Sequence, residues 1–337
     1  MTLHPRLDLA LAPGGLSLPE GRIAVIGPRA GQGLDPLPKD RVEVITRQFP
    51  DFQAFERQGY TCRVAPDGRY DMVVVMVPRA KALARAWVAQ AAEITDGVIV
   101  VDGVKDDGIE SILKDCRKRA DVMGPINKAH GKLFWMQGGD FADWAAAPTT
   151  LPEGFKTAPG TFSADGIDPA SALLAGSLPE QLGQHVIDLG AGWGYLSAQF
   201  LSKPGVAQLD VVEADHAALT CARENLNDPR ATFHWADATD WAPSAKADTV
   251  VMNPPFHTDR KANPDLGRAF IRTAAASLTP RGTLWMVANR HLPYEPVLDE
   301  CFGAHEEVAG TGAFKVIRAT SPRGKAAARI TRRNRLT

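Results

Sequence analysis

From residue 22 onward the chain runs twice through the same alternation of short β-branched runs and segments with helical apolar spacing. In the first pass the extended runs are Arg22–Gly27, Val42–Thr46, Thr61–Ala65, Tyr70–Val77 and Gly97–Asp102, with helical patterns over Ala80–Ile94 and Ile109–Ala120. In the second they are His185–Leu189, Leu209–Glu213, Thr232–Trp235, Thr249–Met252 and Thr283–Ala288. Helices are expected over Tyr195–Ser202, Asp215–Asn225, Asp265–Leu278 and Tyr294–Phe302. Strands that alternate with helices must connect by crossovers, which gives mostly parallel sheets covered on both faces. An antiparallel pair, Glu306–Ala309 with Phe314–Ala319 around Gly310-Thr311-Gly312, closes the second pass. Between the passes, Ala145–Gly160 turns polar and rich in Pro, Gly and Thr, as a linker does. The expected architecture is two tandem doubly wound α/β domains, over residues 1–147 and 156–320, followed by a basic tail over 321–337.

A chain of 337 residues is long enough for two cores. With 45% hydrophobic and 23% charged residues, it is neither disordered, collagen-like nor a coiled coil. No apolar run approaches the roughly 18–20 residues of a membrane helix, and the first residues lack the pattern of an export signal. Cys62, Cys116, Cys221 and Cys301 are scattered, with no CxxC pair, which argues against a disulfide scaffold or a cysteine-rich zinc site and favours the cytoplasm. No metal site is expected, since His185, His234 and His257 lack ligand spacing. The net charge of −1 hides an asymmetry. From Val308 onward there are eight basic residues and no acidic one, leaving 30 basic against 39 acidic before it. Such a tail either meets a polyanion or is simply a solvated terminus.

Two loops carry chemistry. Gly190-Ala191-Gly192-Trp193-Gly194 joins a strand to a helix, where glycines let backbone approach a ligand closely. Glu213 ends the next strand, where an acidic side chain can accept hydrogen bonds from a ribose diol. A dinucleotide or an S-adenosyl group would satisfy both features. The dinucleotide fingerprint needs GxGxxG, and Tyr195 stands at its third glycine, so the S-adenosyl reading is favoured. Asp188 before the loop can face the amino group of a methionine moiety, and Asp237 after the third strand can accept from an adenine amine. A glycine turn with no ligand is the plainer alternative.

The second loop is Asn253-Pro254-Pro255-Phe256, at the end of the fourth strand. An exocyclic amine on a base, or an amide, is a poor nucleophile because its lone pair is delocalised. Acceptors for both of its N–H groups turn that lone pair toward a methyl donor. The Asn253 side-chain oxygen and the Pro254 carbonyl can be those acceptors; the prolines fix the loop, and Phe256 can stack on a planar base. This is catalysis by positioning and needs no strong base. His257 follows this motif and can shape the pocket; a role as catalytic base is the weaker reading.

With these residues in hand, the second domain resembles the class I S-adenosylmethionine-dependent methyltransferases of the amino-methylating branch, and more narrowly the 16S ribosomal RNA guanine-N2 methyltransferases. The resemblance rests on Pro159–Ser163 with Gly166-Ile167-Asp168, on Val186–Gly194, on Asn253–His257, on Val287-Ala288-Asn289 with Leu292-Pro293-Tyr294, and on Thr311–Val316. It implies two Rossmann-like domains, the first degenerate. It also implies S-adenosylmethionine held by Asp188, Gly190, Gly192, Gly194, Glu213, Asp237 and Ala238, with Phe162 and Asn253 beside it. The guanine would then lie against Asn253, Pro254, Pro255 and Phe256. The implied partner is 16S rRNA in the small ribosomal subunit, with the chain acting as a monomer away from membranes.

The corresponding loops of the first domain, Gly27-Pro28-Arg29-Ala30-Gly31-Gln32-Gly33 and Val77-Pro78-Arg79-Ala80, lack the glycine order, the amide and the aromatic. That domain is expected not to catalyse. Its Arg79, Lys81, Arg85, Lys114, Arg117, Lys118 and Arg119 can grip RNA phosphates or can be ordinary solvated helix faces. Rival readings keep the chemistry and change the acceptor to a large-subunit guanine, a DNA adenine or a protein glutamine. Others make the chain a non-catalytic rRNA-binding assembly factor or a nicotinamide dehydrogenase. Arg290 and His291 are further candidates for RNA contact.

Overall fold

The computed structural model describes residues 5–255 and 264–323. It divides into two compact units, Met1–Thr149 with Ala158–Gly160, and Thr150–Thr157 with Thr161–Thr337. Phe256, His257 and the tail from residue 324 lie outside the described residues.

The first unit is a seven-stranded sheet of β1 (Ile23–Ile26), β2 (Val42–Ile45), β3 (Thr61–Arg63), β4 (Tyr70–Met76), β5 (Thr95–Val104), β6 (Val122–Lys128) and β7 (Gly131–Gln137), in the order β3-β2-β1-β4-β5-β7-β6. The first five strands run parallel; β7 is antiparallel to β5 and to β6. Every residue of β1 and β2 is buried, and so are Met72–Met76 of β4, as continuous apolar runs covered on both faces require. The helices are α1 (Pro5–Ala10), α2 (Phe49–Arg57), α3 (Lys81–Ile94) and α4 (Ile109–Cys116). The β6–β7 hairpin, α1 and α2 are not foreseen in the sequence analysis, and α4 stops four residues before the expected Ala120.

The second unit repeats this plan with β8 (His185–Leu189), β9 (Gln208–Glu213), β10 (Ala231–Trp235), β11 (Ala247–Met252), β12 (Leu278–Asn289), β13 (Phe302–Gly310) and β14 (Phe314–Pro322). The order is β10-β9-β8-β11-β12-β14-β13, again with the last pair antiparallel. The closing hairpin is foreseen but longer than expected. Its helices are α5 (Pro169–Ser177), α6 (Tyr195–Leu201), α7 (His216–Asn225), α8 (Pro264–Ser277) and α9 (Glu295–Cys301). Apolar clusters fill both faces of the sheet, one around Ile187, Met252, Ile271 and Met286, the other around Val186, Phe200, Val211 and Leu219. In both units the strand order reverses between the first strand and the fourth, which is where open α/β sheets leave a crevice at their carboxyl ends.

No helix among the described residues is long and apolar enough to cross a membrane.

Candidate active site

The crevice of the second unit is built around the loop that follows β8. Gly190 and Gly194 have φ of +83° and +91°, a left-handed conformation that side chains other than glycine adopt only under strain. The loop is tied back to β9, because Gly190 N and Ala191 N both donate to Val212 O, at 2.9 and 3.0 Å. Trp193, inside the loop, is buried and packs against Phe155 and Tyr195 with ring centroids 5.3 and 6.0 Å away. Its indole N–H donates to Phe162 O at 2.9 Å, so it anchors the preceding segment to the glycine loop. Phe162 itself lines the crevice and is 60% exposed, so its apolar surface is left uncovered by the chain.

Across the crevice, Asn253 follows β11. Its Nδ2 donates to Asp168 Oδ2 at 3.0 Å and to Ser171 Oγ at 2.8 Å. Asp168 caps α5, its Oδ2 accepting from Ser171 N at 2.7 Å, and Pro169 occupies the first turn. Both donors of the Asn253 amide are therefore used, whereas its Oδ1 is buried without a partner among the described residues. A buried acceptor left unpaired costs about 1–3 kcal/mol, so it signals a group waiting for a donor.

The acidic residues sit differently. Asp188 is wholly buried; its Oδ2 accepts from Ser197 Oγ at 2.6 Å, and Oδ1 has no partner among the described residues. Burial pushes its carboxyl up to about 7 against the pull of the Ser197 hydroxyl, and Glu213 adds repulsion. Glu213 accepts from Gly192 N at 2.8 Å and from Asp215 N at 2.7 Å, and burial pushes it too up to about 7. Asp237 Oδ1 is held by the Thr239 N–H and hydroxyl at 2.8 and 2.7 Å, and Ala238 is packed in the core.

Of the residues singled out in the sequence, Phe162, Gly190, Gly192 and Asn253 line one cleft, together with Ser163, Asp168, Ser171, Ala191, Trp193, Tyr195 and Leu196. Asp188, Gly194, Glu213, Asp237, Ala238, Pro254 and Pro255 do not line it. Pro254 is buried and Pro255 exposed. Nothing in the sequence singles out Ser171, and Asp168 stands out only within the segment that carries the family resemblance. An Asp-Pro helix start is the local signal for the cap, but the bond to a residue 85 positions away has no local signal.

Elsewhere the structure spends several candidates on the fold. His185 and His234 flank Asp210, at 2.7 and 2.8 Å. Arg290 pairs with Glu307 at 2.8 Å and donates to Thr311 O, which ties the β13–β14 turn. In the first unit, Lys81, Arg85 and Lys118 surround Asp115, with Arg85 closest at 2.7 Å, and Arg119 pairs with Asp143. The Arg85 bond outweighs burial, which acts the other way, and with help from Lys81 holds Asp115 below its usual range.

A 3-2-1-4-5-7-6 sheet with a glycine loop after its first strand and Asn-Pro-Pro after its fourth is the class I methyltransferase fold. The Methyltransferase small domain family matches residues 153–318. Among curated proteins, the ribosomal RNA small subunit methyltransferase C of Erwinia tasmaniensis is 37% identical over 174 residues, 50% of this chain and 49% of its own. That of Salmonella choleraesuis is 35% identical over 210 residues, 59% of this chain and 61% of its own. The chain thus spans about half to three-fifths of the length of these curated relatives. Among solved structures, the T. thermophilus 16S rRNA N2 G1207 methyltransferase RsmC, in complex with AdoMet and guanosine, superposes with a TM-score of 0.79 at 29% identity. The match covers 94% of this chain and 92% of that one. Over most of its length the chain is thus similar to an RsmC methyltransferase, and its second unit matches the Methyltransferase small domain family.

Proposed function

We propose that this protein transfers a methyl group from S-adenosylmethionine to the exocyclic N2 amine of a guanine in 16S rRNA of the small ribosomal subunit, in the cytoplasm and as a monomer. The observation that carries this reading is the unpartnered, buried Oδ1 of Asn253, in a cleft shared with the glycine loop and the exposed Phe162 ring. When bound, S-adenosylmethionine supplies an electrophilic methyl on a sulfonium, so an N–C bond forms and the sulfur keeps the electron pair of the broken S–C bond.

The chain's part is positioning. Asn253 Oδ1 accepts from one N2–H of guanine and the Pro254 carbonyl from the other, which directs the nitrogen lone pair out of the ring plane. Pro255 holds the loop, and Phe256 stacks on the base. After transfer the nitrogen sheds one proton to solvent. Gly190, Gly192 and Gly194 bring backbone close to the cofactor. The Glu213 oxygens, each accepting one N–H already, keep lone pairs for a ribose diol. Asp188, Asp237, Ala238 and Phe162 complete the cofactor's surroundings. Residues 1–147 form a non-catalytic domain that helps to hold the RNA, 156–320 the catalytic domain, and 321–337 a basic tail toward the polyanion.

The test uses methyl-labelled S-adenosylmethionine with naked 16S rRNA, small subunits and large subunits from cells lacking the enzyme. N2-methylguanosine in small-subunit RNA is the expected product, and Asn253→Ala lowers its rate about 100-fold, the scale of removing one aligned polar group from a transition state. Label in large-subunit RNA, in another nucleoside or in protein would overturn the acceptor.

A further inference from the structure

We propose that Asp168 and Ser171 are positioning residues of the methyl transfer: they fix the Asn253 amide with its nitrogen turned into the cap of α5 and its oxygen turned toward the substrate amine. The inference rests on the guanine-amine reading and names what makes Asn253 competent for it.

A side-chain amide has nearly the same shape when rotated by 180°, but its hydrogen-bonding sense inverts. One orientation offers a substrate amine an acceptor; the other offers two more donors, which an amine cannot use. Something must break the symmetry. Asp168 Oδ2 is an acceptor by construction, because it takes the Ser171 backbone N–H at 2.7 Å to cap α5. An Asn253 oxygen placed 3.0 Å from that same atom would bring two acceptors together, whereas the nitrogen placed there makes a charge-assisted hydrogen bond. Ser171 Oγ, at 2.8 Å, receives the second amide proton. Both N–H groups are then satisfied inside the protein, and Oδ1 is the atom left without a partner among the described residues. Donating both protons also draws electron density toward Oδ1 and makes it a better acceptor. The helix cap and the substrate acceptor are thus one hydrogen-bonded unit joining residues 168, 171 and 253.

The test separates capping from positioning. Asp168→Ser keeps a good cap but has too short a side chain to reach Asn253. Ser171→Ala keeps the backbone N–H that the cap uses and removes only the second acceptor. Asp168→Asn keeps an oxygen able to serve both donors. Each lost hydrogen bond lets the amide rotate, so kcat should fall about fivefold in Ser171→Ala and about tenfold in Asp168→Ser, more in the double variant, with cofactor Kd and Tm near wild type. Asp168→Asn should recover most of the loss. In side-chain amide NMR, the Asn253 Nδ2 protons should be protected from exchange in the wild type and exposed in the double variant.

Full kcat in both Asp168→Ser and Ser171→Ala would overturn the inference while leaving the guanine reading intact. So would unchanged amide protection in the double variant, or an Asp168→Asn protein as impaired as Asp168→Ser. A wild-type protein that methylates no guanine amine would overturn the underlying reading, and the inference with it.

Discussion

Asp188 and Glu213 are acidic side chains in the place where acid is hardest to keep ionised. Asp188 is wholly buried, with one hydroxyl for company, and desolvation lifts its carboxyl to about 7. A carboxyl whose folded value lies above its unfolded one holds a proton in the native state that the unfolded chain has released. Between roughly pH 4 and 7 the folded protein therefore binds more protons, and stability falls as pH rises through that window. Asp188→Asn removes the titration and keeps the shape. The variant should match the wild type in denaturant unfolding near pH 4 and exceed it above pH 7 by up to about 4 kcal/mol, at 1.36 kcal/mol for each tenfold change. A constant difference across that range would show that Asp188 is already ionised at neutral pH. An acid kept beneath the glycine loop at such a cost is what the proposed cofactor role of Asp188 requires.

At the scale of elements, the parallel strands were the legible part. Continuous runs such as Ile23–Ile26 and Val186–Leu189 are buried on both faces, so their composition reports their position directly. The β6–β7 hairpin was not legible, for two local reasons. Gly124-Pro125 interrupts β6, and proline marks a run as non-strand unless it lies at an edge, where β6 does lie. Its turn places Ala129 and His130 at φ of +50° and +54°, without the Asn-Gly pair that announces such a hairpin. Likewise α5 is short and rich in small residues, so its importance shows only once Asn253 is folded against it. The glycine loop and Asn253 of the candidate site could be read from local motifs. Asp168 and Ser171 could not be given their role, since it depends on contacts across more than 80 residues. The strand-crossing triad of His185, Asp210 and His234 on β8, β9 and β10 also had no local signal, since its two contacts span 25 and 24 residues. Burial raises the Asp210 carboxyl, but the hydrogen bonds from His234 and His185 outweigh it and leave it lowered. A lowered carboxyl contributes stability above its unfolded value and loses it as pH falls through the folded one. Asp210→Ala should therefore cost about 3 kcal/mol at neutral pH by stranding two imidazole partners. The gap from wild type should narrow in acid, as denaturant midpoints at both pH values would show. A gap independent of pH would mean that the triad is neutral packing.

At the scale of the whole molecule, the two units repeat one plan so closely that the difference between them becomes the informative part. In each, the first strand ends in a glycine of positive φ, Gly27 at +70° and Gly190 at +83°. Each of these glycines is crowded by an aromatic ring from the helix after the fourth strand. A Cβ at Gly27 would lie 2.1 Å from Trp87 of α3, and one at Gly190 would lie 3.0 Å from Phe270 of α8; both rings stand seventh in their helices. The likeness ends immediately after that glycine. In the second unit the loop opens helix α6. In the first, Pro28, Pro36 and Pro38 and the glycines at 31 and 33 stand in the equivalent stretch, and the chain reaches β2 with only a short 3-10 turn at Lys39–Arg41. Prolines remove backbone donors and glycines weaken helices, so the element that would bring N–H groups to a ligand is not formed. After β4 stands Val77-Pro78-Arg79, with no amide to orient a substrate. The two units share a strand order, and the cleft at the glycine loop is lined by residues of the second. Calorimetric titration of the full chain with S-adenosylhomocysteine should give one site per chain. The Glu213→Ala variant should lose that binding by about tenfold or more, the scale of removing an acceptor from buried hydroxyls. A stoichiometry of two, or a residual site of wild-type affinity in the variant, would show that the first domain holds a cofactor pocket without the helix that follows the glycine loop in the second.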